Sequence, residues 1–168
     1  LESMNSTRLR IKKFCARDNF RRSWVSCMLE MRLKEQKRTI SYIIRHKGSF
    51  VVDKTYQREK VWPRRLKQYL IDTILRGLDI GRIFVKIGND DKFYIIDGQQ
   101  RLNAIWEFAE NKFPLSPLYS GELGGKYYKD LPRELRDRFD EYNVTIVFMH
   151  NLSDEEIRDI YRRINSGI

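Results

Sequence analysis

Asp97, Gly98, Gln99, Gln100 and Arg101 stand consecutively, so one short run carries a carboxylate, a residue without Cβ, two side-chain amides and a guanidinium. The run Lys92 to Ile96 before them reads as a strand. Leu102, Ile105, Trp106 and Ala109 after them share one face of a helix. A strand that turns directly into a helix leaves the first helical N–H groups without internal partners, at the positive end of the helix dipole. An anion such as a phosphate is favoured there. Gly98 lets a ligand approach the backbone, and Gln99 and Gln100 can donate from their amides. Arg101 in the first helical turn opposes the dipole, a local penalty relieved if an anion lies between the helix end and the guanidinium.

Asp97 is the odd member, because a carboxylate beside a polyphosphate is repelled. A Mg²⁺ bridging Asp97 and phosphate oxygens resolves the conflict, since Mg²⁺ takes one or two carboxylates together with phosphates. Asp97 can instead orient a water or a ribose hydroxyl, and the plainest reading is that it caps the helix while Gly98 makes a turn. Two further clusters stand elsewhere. Tyr56, Gln57 and Arg58, with Trp62 following, lie between a strand and a helix start, where Gln57 and Arg58 can add donors to the same anion site and Trp62 can bury the loop. Arg163, Asn165 and Gly167 close the chain, and the last two read equally well as helix-stop residues. Among familiar chemistries, the Gly-x-x-x-x-Gly-Lys-Ser/Thr phosphate loop and the nucleophile elbow are absent. His46 and His150 are isolated, and Cys15 and Cys27 have no metal-type spacing with them.

The elements that must position these residues can be read from periodicity. Thr39 caps a short helix carrying Ile40, Ile43 and Ile44, ended by Gly48, and Phe50 to Val52 is a short strand. Pro63 suits the first turn of a helix in which Leu66, Leu70, Thr73 and Ile74 recur at helical spacing, and Gly77 stops it. Ile83 to Ile87 and Lys92 to Ile96 form a hairpin around the turn formers Gly88 to Asp91. Residues 113–130 read as an irregular loop. Pro132 opens a helix through Leu135 and Phe139, and Val144 to Met149 is a buried strand. Ser153 and Glu156 form a capping box for a last helix with Ile157, Ile160, Tyr161 and Ile164 inward. The class is a mixed α+β domain, and more protein is expected to follow residue 168.

The chain of 168 residues is long enough for one ordinary domain, with 41% hydrophobic and 33% charged residues. No apolar run approaches the roughly 20 residues that cross a bilayer. A reducing, cytoplasmic setting is expected from the two cysteines. The net charge of +10 is uneven, with residues 1–38 carrying 11 Lys+Arg against 4 Asp+Glu while the rest is nearly balanced. The expected organisation is a basic arm over 1–38, partly helical or disordered, and a domain over 39–168. The arm is a candidate contact for nucleic-acid phosphates.

With these blocks in order, the chain resembles the DGQQR-motif family, the N-terminal domain of GmrSD-type modification-dependent restriction enzymes. The resemblance runs from about Thr39 to Ile168. It rests on Tyr56-Gln57-Arg58 with Trp62, on Leu70 to Leu75, on Ile96 to Leu102 and on Tyr161 to Gly167. It implies a ParB/sulfiredoxin-like fold, a small mixed sheet with surrounding helices and the motif at a strand-to-helix junction. It further implies Mg²⁺-dependent binding and hydrolysis of a nucleoside triphosphate that regulates a nuclease in DNA restriction and anti-phage defence. By position, Asp97 would be the residue most needed for hydrolysis and would hold the metal. Gly98, Gln99, Gln100 and Arg101 would hold phosphates, joined by Gln57 and Arg58, with Tyr56, Trp62, Arg163 and Asn165 in support. The nuclease of such enzymes lies in a separate domain, so cutting DNA is not expected of this chain alone. The alternative reading is a ParB-like DNA-binding or nuclease module. The basic arm lies outside the family pattern.

Overall fold

Period-two alternation in three strands decides the architecture. Ile83 and Val85, Ile95, and Val144, Ile146 and Phe148 bury on one side of a sheet, while Phe84, Ile96 and Met149 pack on the other. In the computed structural model, which describes residues 32–52 and 61–166, these belong to β3 (Ile83–Ile87), β4 (Phe93–Asp97) and β5 (Asn143–Met149). With β1 (Leu33–Thr39) and β2 (Phe50–Val52) they form a mixed sheet in the order β1-β5-β3-β4-β2. The β1/β5 and β3/β4 pairs are antiparallel, and the β3/β5 and β2/β4 pairs are parallel. The mixed α+β class expected from the sequence is what the chain adopts.

The larger core lies under α1 (Ile40–Arg45), α2 (Arg64–Leu75), α3 (Gln99–Ala109) and α5 (Arg133–Glu141). They contribute Ile40 and Ile43, then Ile71 and Ile74, then Leu102, Ile105 and Phe108, then Phe139. The opposite face is covered by α6 (Asp154–Asn165) through Ile157, Ile160 and Tyr161. The short α4 (Pro117–Ser120) and two 3₁₀ turns occupy the stretch expected to be an irregular loop, which Phe113 and Leu115 pin into the larger core.

Local signals work as read. The Thr39 hydroxyl accepts from the Tyr42 N–H at 3.2 Å, and Gly77 follows the end of α2. Ser153 N–H donates to Glu156 Oε2 at 2.8 Å while Glu156 N–H donates to Ser153 Oγ at 3.3 Å, so the capping box is closed. No helix among the described residues is long and apolar enough to cross a membrane.

One stretch differs. Residues 33–38, read from sequence as part of a helical or disordered arm, are a strand that pairs along its whole length with β5, from Leu33↔Met149 to Thr39↔Asn143. Their series Leu-Lys-Glu-Gln-Lys-Arg has no apolar alternation because β1 lies at the sheet edge, where charged side chains are tolerated and discourage pairing with another chain. Residues 1–31 of the arm lie outside the described residues.

Candidate functional site

β4 ends at Asp97, and Gly98 turns the chain with φ 99° and ψ 8°, the left-handed region that favours glycine. Its missing Cβ faces the sheet: a methyl there would stand 2.9 Å from Ile83 Cγ1. Gly98 therefore serves close packing of the turn on β3, and the space its side chain would occupy is already filled by Ile83. Helix α3 begins at once, with Leu102 N–H donating to Gly98 O at 3.0 Å. Among the described residues no side chain caps the helix, so there the N–H groups of Gln99, Gln100 and Arg101 meet no side-chain acceptor at the positive end of an 11-residue helix.

Asp97 does not supply that cap. Its Oδ2 accepts from Arg101 Nη2 at 2.6 Å, an ion pair one helical turn long with side chains 27% and 17% exposed. The sequence called for an anion beside Arg101, and in the structure that anion is the motif's own carboxylate. Arg101 Nη1 also donates to Ile80 O at 2.9 Å. Beneath the guanidinium lies Gly81, at φ 77°, where a Cβ would come within 2.9 Å of Nη1. Asp79 Oδ1 accepts from Gly81 N–H at 3.1 Å and fixes this turn. The Asp79 to Gly81 turn thus forms a seat for Arg101 that no local sequence signal announced, because the partners are some twenty residues apart.

The Tyr56-Gln57-Arg58 segment lies outside the described residues, but its flanks are visible. β2 runs parallel to β4, with Val52 opposite Ile95, so the chain leaves β2 toward the end of the sheet that holds Asp97. On its return, Trp62 N–H donates to Gln100 Oε1 at 3.0 Å, and the half-buried Trp62 ring packs on the larger core. Lys67 Nζ donates to Glu107 Oε2 at 2.7 Å and ties α2 to α3 behind this contact. Gln99 is half-buried and solvent-accessible beside it.

The third block is less closely joined. Helix α6 starts at the far end of the sheet, where Lys86 Nζ meets Asp154 Oδ1 at 2.8 Å. It then runs toward Phe84 and Ile96, against which Ile160 and Tyr161 pack. Phe84 lies opposite Asp97 in the ladder, so α6 approaches the motif end from the other face. Arg163 is 76% exposed and its Nε donates to Asp159 Oδ2 at 2.8 Å, so its charge is turned along its own helix. Asn165 is the last residue of α6.

Among the described residues no group of three or more His, Cys, Asp or Glu could hold a metal ion by itself. An open hollow of about 510 Å³ lies at the other end of the β3–β4 hairpin, lined by Lys86, Gly88, Asn89, Asp90, Tyr94 and Asp154. Four of its polar groups are bonded in pairs, Tyr94 OH to Asp90 Oδ2 at 3.1 Å and Lys86 to Asp154. The start of α3 combines N–H groups that have no side-chain acceptor among the described residues with the Asp97–Arg101 pair beside them, which makes the motif the better candidate.

The family model described as GmrSD restriction endonuclease, N-terminal domain, matches residues 40–168, and the chain belongs to that family. No curated protein matches it. Among solved structures it is similar to the C-terminally truncated chromosome-partitioning protein ParB from Caulobacter crescentus complexed with CTP-γ-S, at 13% identity and a TM-score of 0.45. That match covers 80% of this chain and 54% of the ParB chain, so this chain spans about half of its length.

Proposed function

We propose that this GmrSD N-terminal domain is a cytoplasmic regulatory module that holds the phosphates of a nucleoside triphosphate at the start of α3 and hydrolyses it to control a nuclease located elsewhere in a restriction system. One observation carries the reading: among the described residues α3 opens on uncapped N–H groups, while Asp97, just before the N-cap Gly98, is drawn away onto Arg101. The free site thereby keeps its strongest cation neutralised and its backbone donors available. A polyphosphate supplies a better anion than one carboxylate, because it can accept from the backbone N–H groups and from Arg101 together.

Asp97 fits the role of metal ligand in that state. Its Oδ1 has no partner among the described residues, and a single carboxylate completed by phosphate oxygens is a normal Mg²⁺ environment. When bound there, Mg²⁺ would neutralise charge on both the carboxylate and the phosphates. Arg101 is then free to leave Asp97 for phosphate while Ile80 O keeps hold of Nη1. Gln57 and Arg58 would add donors from the segment whose flanks meet the motif.

Titration of each of the four ribonucleoside triphosphates into the wild-type chain, with and without Mg²⁺, tests this. Saturable binding of at least one of them, strengthened by Mg²⁺ and accompanied by phosphate release, is expected. A folded chain that binds none would remove the proposal.

The charge of residues 1–38 favours a second reading, in which the chain contacts duplex DNA. Duplex affinity that falls steeply with salt, vanishes without residues 1–31 and is unchanged by Asp97→Ala would assign that contact to the arm.

A further inference from the structure

We infer that Asp79 is a positioning residue for Arg101: acting through the peptide between Ile80 and Gly81, it keeps the guanidinium seated beside the start of α3 while a polyphosphate draws it from Asp97. The inference deepens the nucleotide reading above and rests on it. The two contacts that define the seat belong to one peptide group. Its N–H, on Gly81, donates to Asp79 Oδ1 at 3.1 Å, and its C=O, on Ile80, accepts from Arg101 Nη1 at 2.9 Å. A trans peptide is planar and points these two groups in opposite directions, so fixing the N–H aims the carbonyl. The bonds run in series from a carboxylate to a guanidinium, and each polarises the peptide in the sense that strengthens the other.

The backbone around this peptide has little freedom. It starts from the closed end of α2, where Gly77 N–H donates to Ile74 O at 2.9 Å and Leu78 N–H to Thr73 O at 3.1 Å. Tyr142, which follows α5, donates from its hydroxyl to Leu78 O at 2.8 Å while its ring packs on the larger core. Ile80 packs on the same core, and β3 begins two residues after Gly81. Asp79 is exposed and forms no ion pair among the described residues, so its carboxylate is given to the turn. Asp97 holds the other terminal nitrogen of Arg101, Nη2. When phosphate replaces that contact, the guanidinium stays hinged at Nη1 and meets the ligand with fewer orientations to give up.

The test compares Asp79→Ala, which deletes the acceptor, with Asp79→Asn, which retains an oxygen for Gly81, both in the whole chain. In the free protein, the two protons on Arg101 Nη1 should give separate NMR signals in the wild type and in Asp79→Asn. They should average in Asp79→Ala, while those on Nη2 stay held by Asp97. Binding is then measured with each of the four ribonucleoside triphosphates and Mg²⁺. Removing an acid beside a polyanion site would, by charge alone, tighten binding. Positioning predicts the reverse: Asp79→Ala weakens affinity about fivefold to tenfold, the scale of one lost hydrogen bond, and Asp79→Asn recovers most of the loss. In an Arg101→Met background Asp79→Ala should cost nothing further, because it acts through that guanidinium. Unchanged or tighter binding by Asp79→Ala, full additivity with Arg101→Met, or Nη1 protons indifferent to Asp79→Ala would each overturn the inference. If the wild-type chain binds no nucleotide, the functional reading falls by that result alone, and the Nη1 signals still decide whether Asp79 seats Arg101.

Discussion

Asp97 and Arg101 face each other across the first turn of α3 at 2.6 Å, so the two most strongly charged members of the motif neutralise one another in the free protein. Any ligand that uses Arg101 must compete with Asp97 for it. This makes the pair a gate in the thermodynamic sense, because ligand affinity contains the cost of parting them.

From that competition follows a prediction with opposite signs. Asp97→Asn weakens the hold on Arg101 and removes a repulsive charge, so nucleotide binding without Mg²⁺ should tighten. The same substitution should abolish the Mg²⁺ dependence and the hydrolysis. Arg101→Met should weaken binding in both conditions by about tenfold or more, the worth of a charge-assisted hydrogen bond. Parallel titrations of the two variants check it, and a loss of Mg²⁺-free affinity in Asp97→Asn contradicts it.

The turn itself should be intolerant of a side chain. Gly98→Ala forces a left-handed residue, costing about 1–2 kcal/mol, and drives its methyl to within 2.9 Å of Ile83 Cγ1. Urea unfolding should show the loss. Since part of it is the collision, Gly98→Ala should cost less in an Ile83→Ala background, and equal costs in the two backgrounds would show that only the backbone matters.

At alkaline pH the loop after α3 should fail through Tyr128. Burial, followed by its hydrogen bonds to Asp140, pushes the hydroxyl from 10.0 up to about 12. A folded value above the unfolded one means stability fully present below pH 10.0 and lost as the pH rises toward about 12. Tyr128→Phe keeps the ring against Phe108 and Phe139. It should flatten that part of the stability profile, as read by thermal unfolding across the window.

The last helix should carry an acid-sensitive contribution. The Ser153 backbone N–H, then its hydroxyl, then Arg32 hold the Glu156 carboxyl below 4.5. A lowered folded value gives stability that is present above 4.5 and disappears as the pH falls through the folded value. Glu156→Gln retains an acceptor for Ser153, so its unfolding midpoint should drop less than the wild type's on acidification.

What could be read from the sequence follows the range of the interactions. The Ser153–Glu156 box spans three residues, the β3–β4 hairpin one turn, and the amphipathic spacing of α3 two turns, and each is written in adjacent residues. The junction that carries the motif was legible for the same reason. β1 was not, because Leu33 to Thr39 owes its form to the backbone of β5, a hundred residues away, and its charged side chains disguise it. Two relations inside the site were equally hidden. Residue types predict that Arg101 needs an anion and Gln100 a hydrogen-bond partner, but only folding selects Asp97 with Ile80 for the first and Trp62 for the second.

The most direct test is to watch the backbone amides of Gln99, Gln100 and Arg101 by ¹⁵N NMR while a nucleoside triphosphate and Mg²⁺ are added. The account predicts that these three resonances move together and furthest, with the Arg101 Nε signal changing as it exchanges Asp97 for phosphate. If they stay fixed while resonances around Lys86, Asn89 and Tyr94 shift instead, the nucleotide sits at the opposite end of the hairpin and the assignment of the site is wrong.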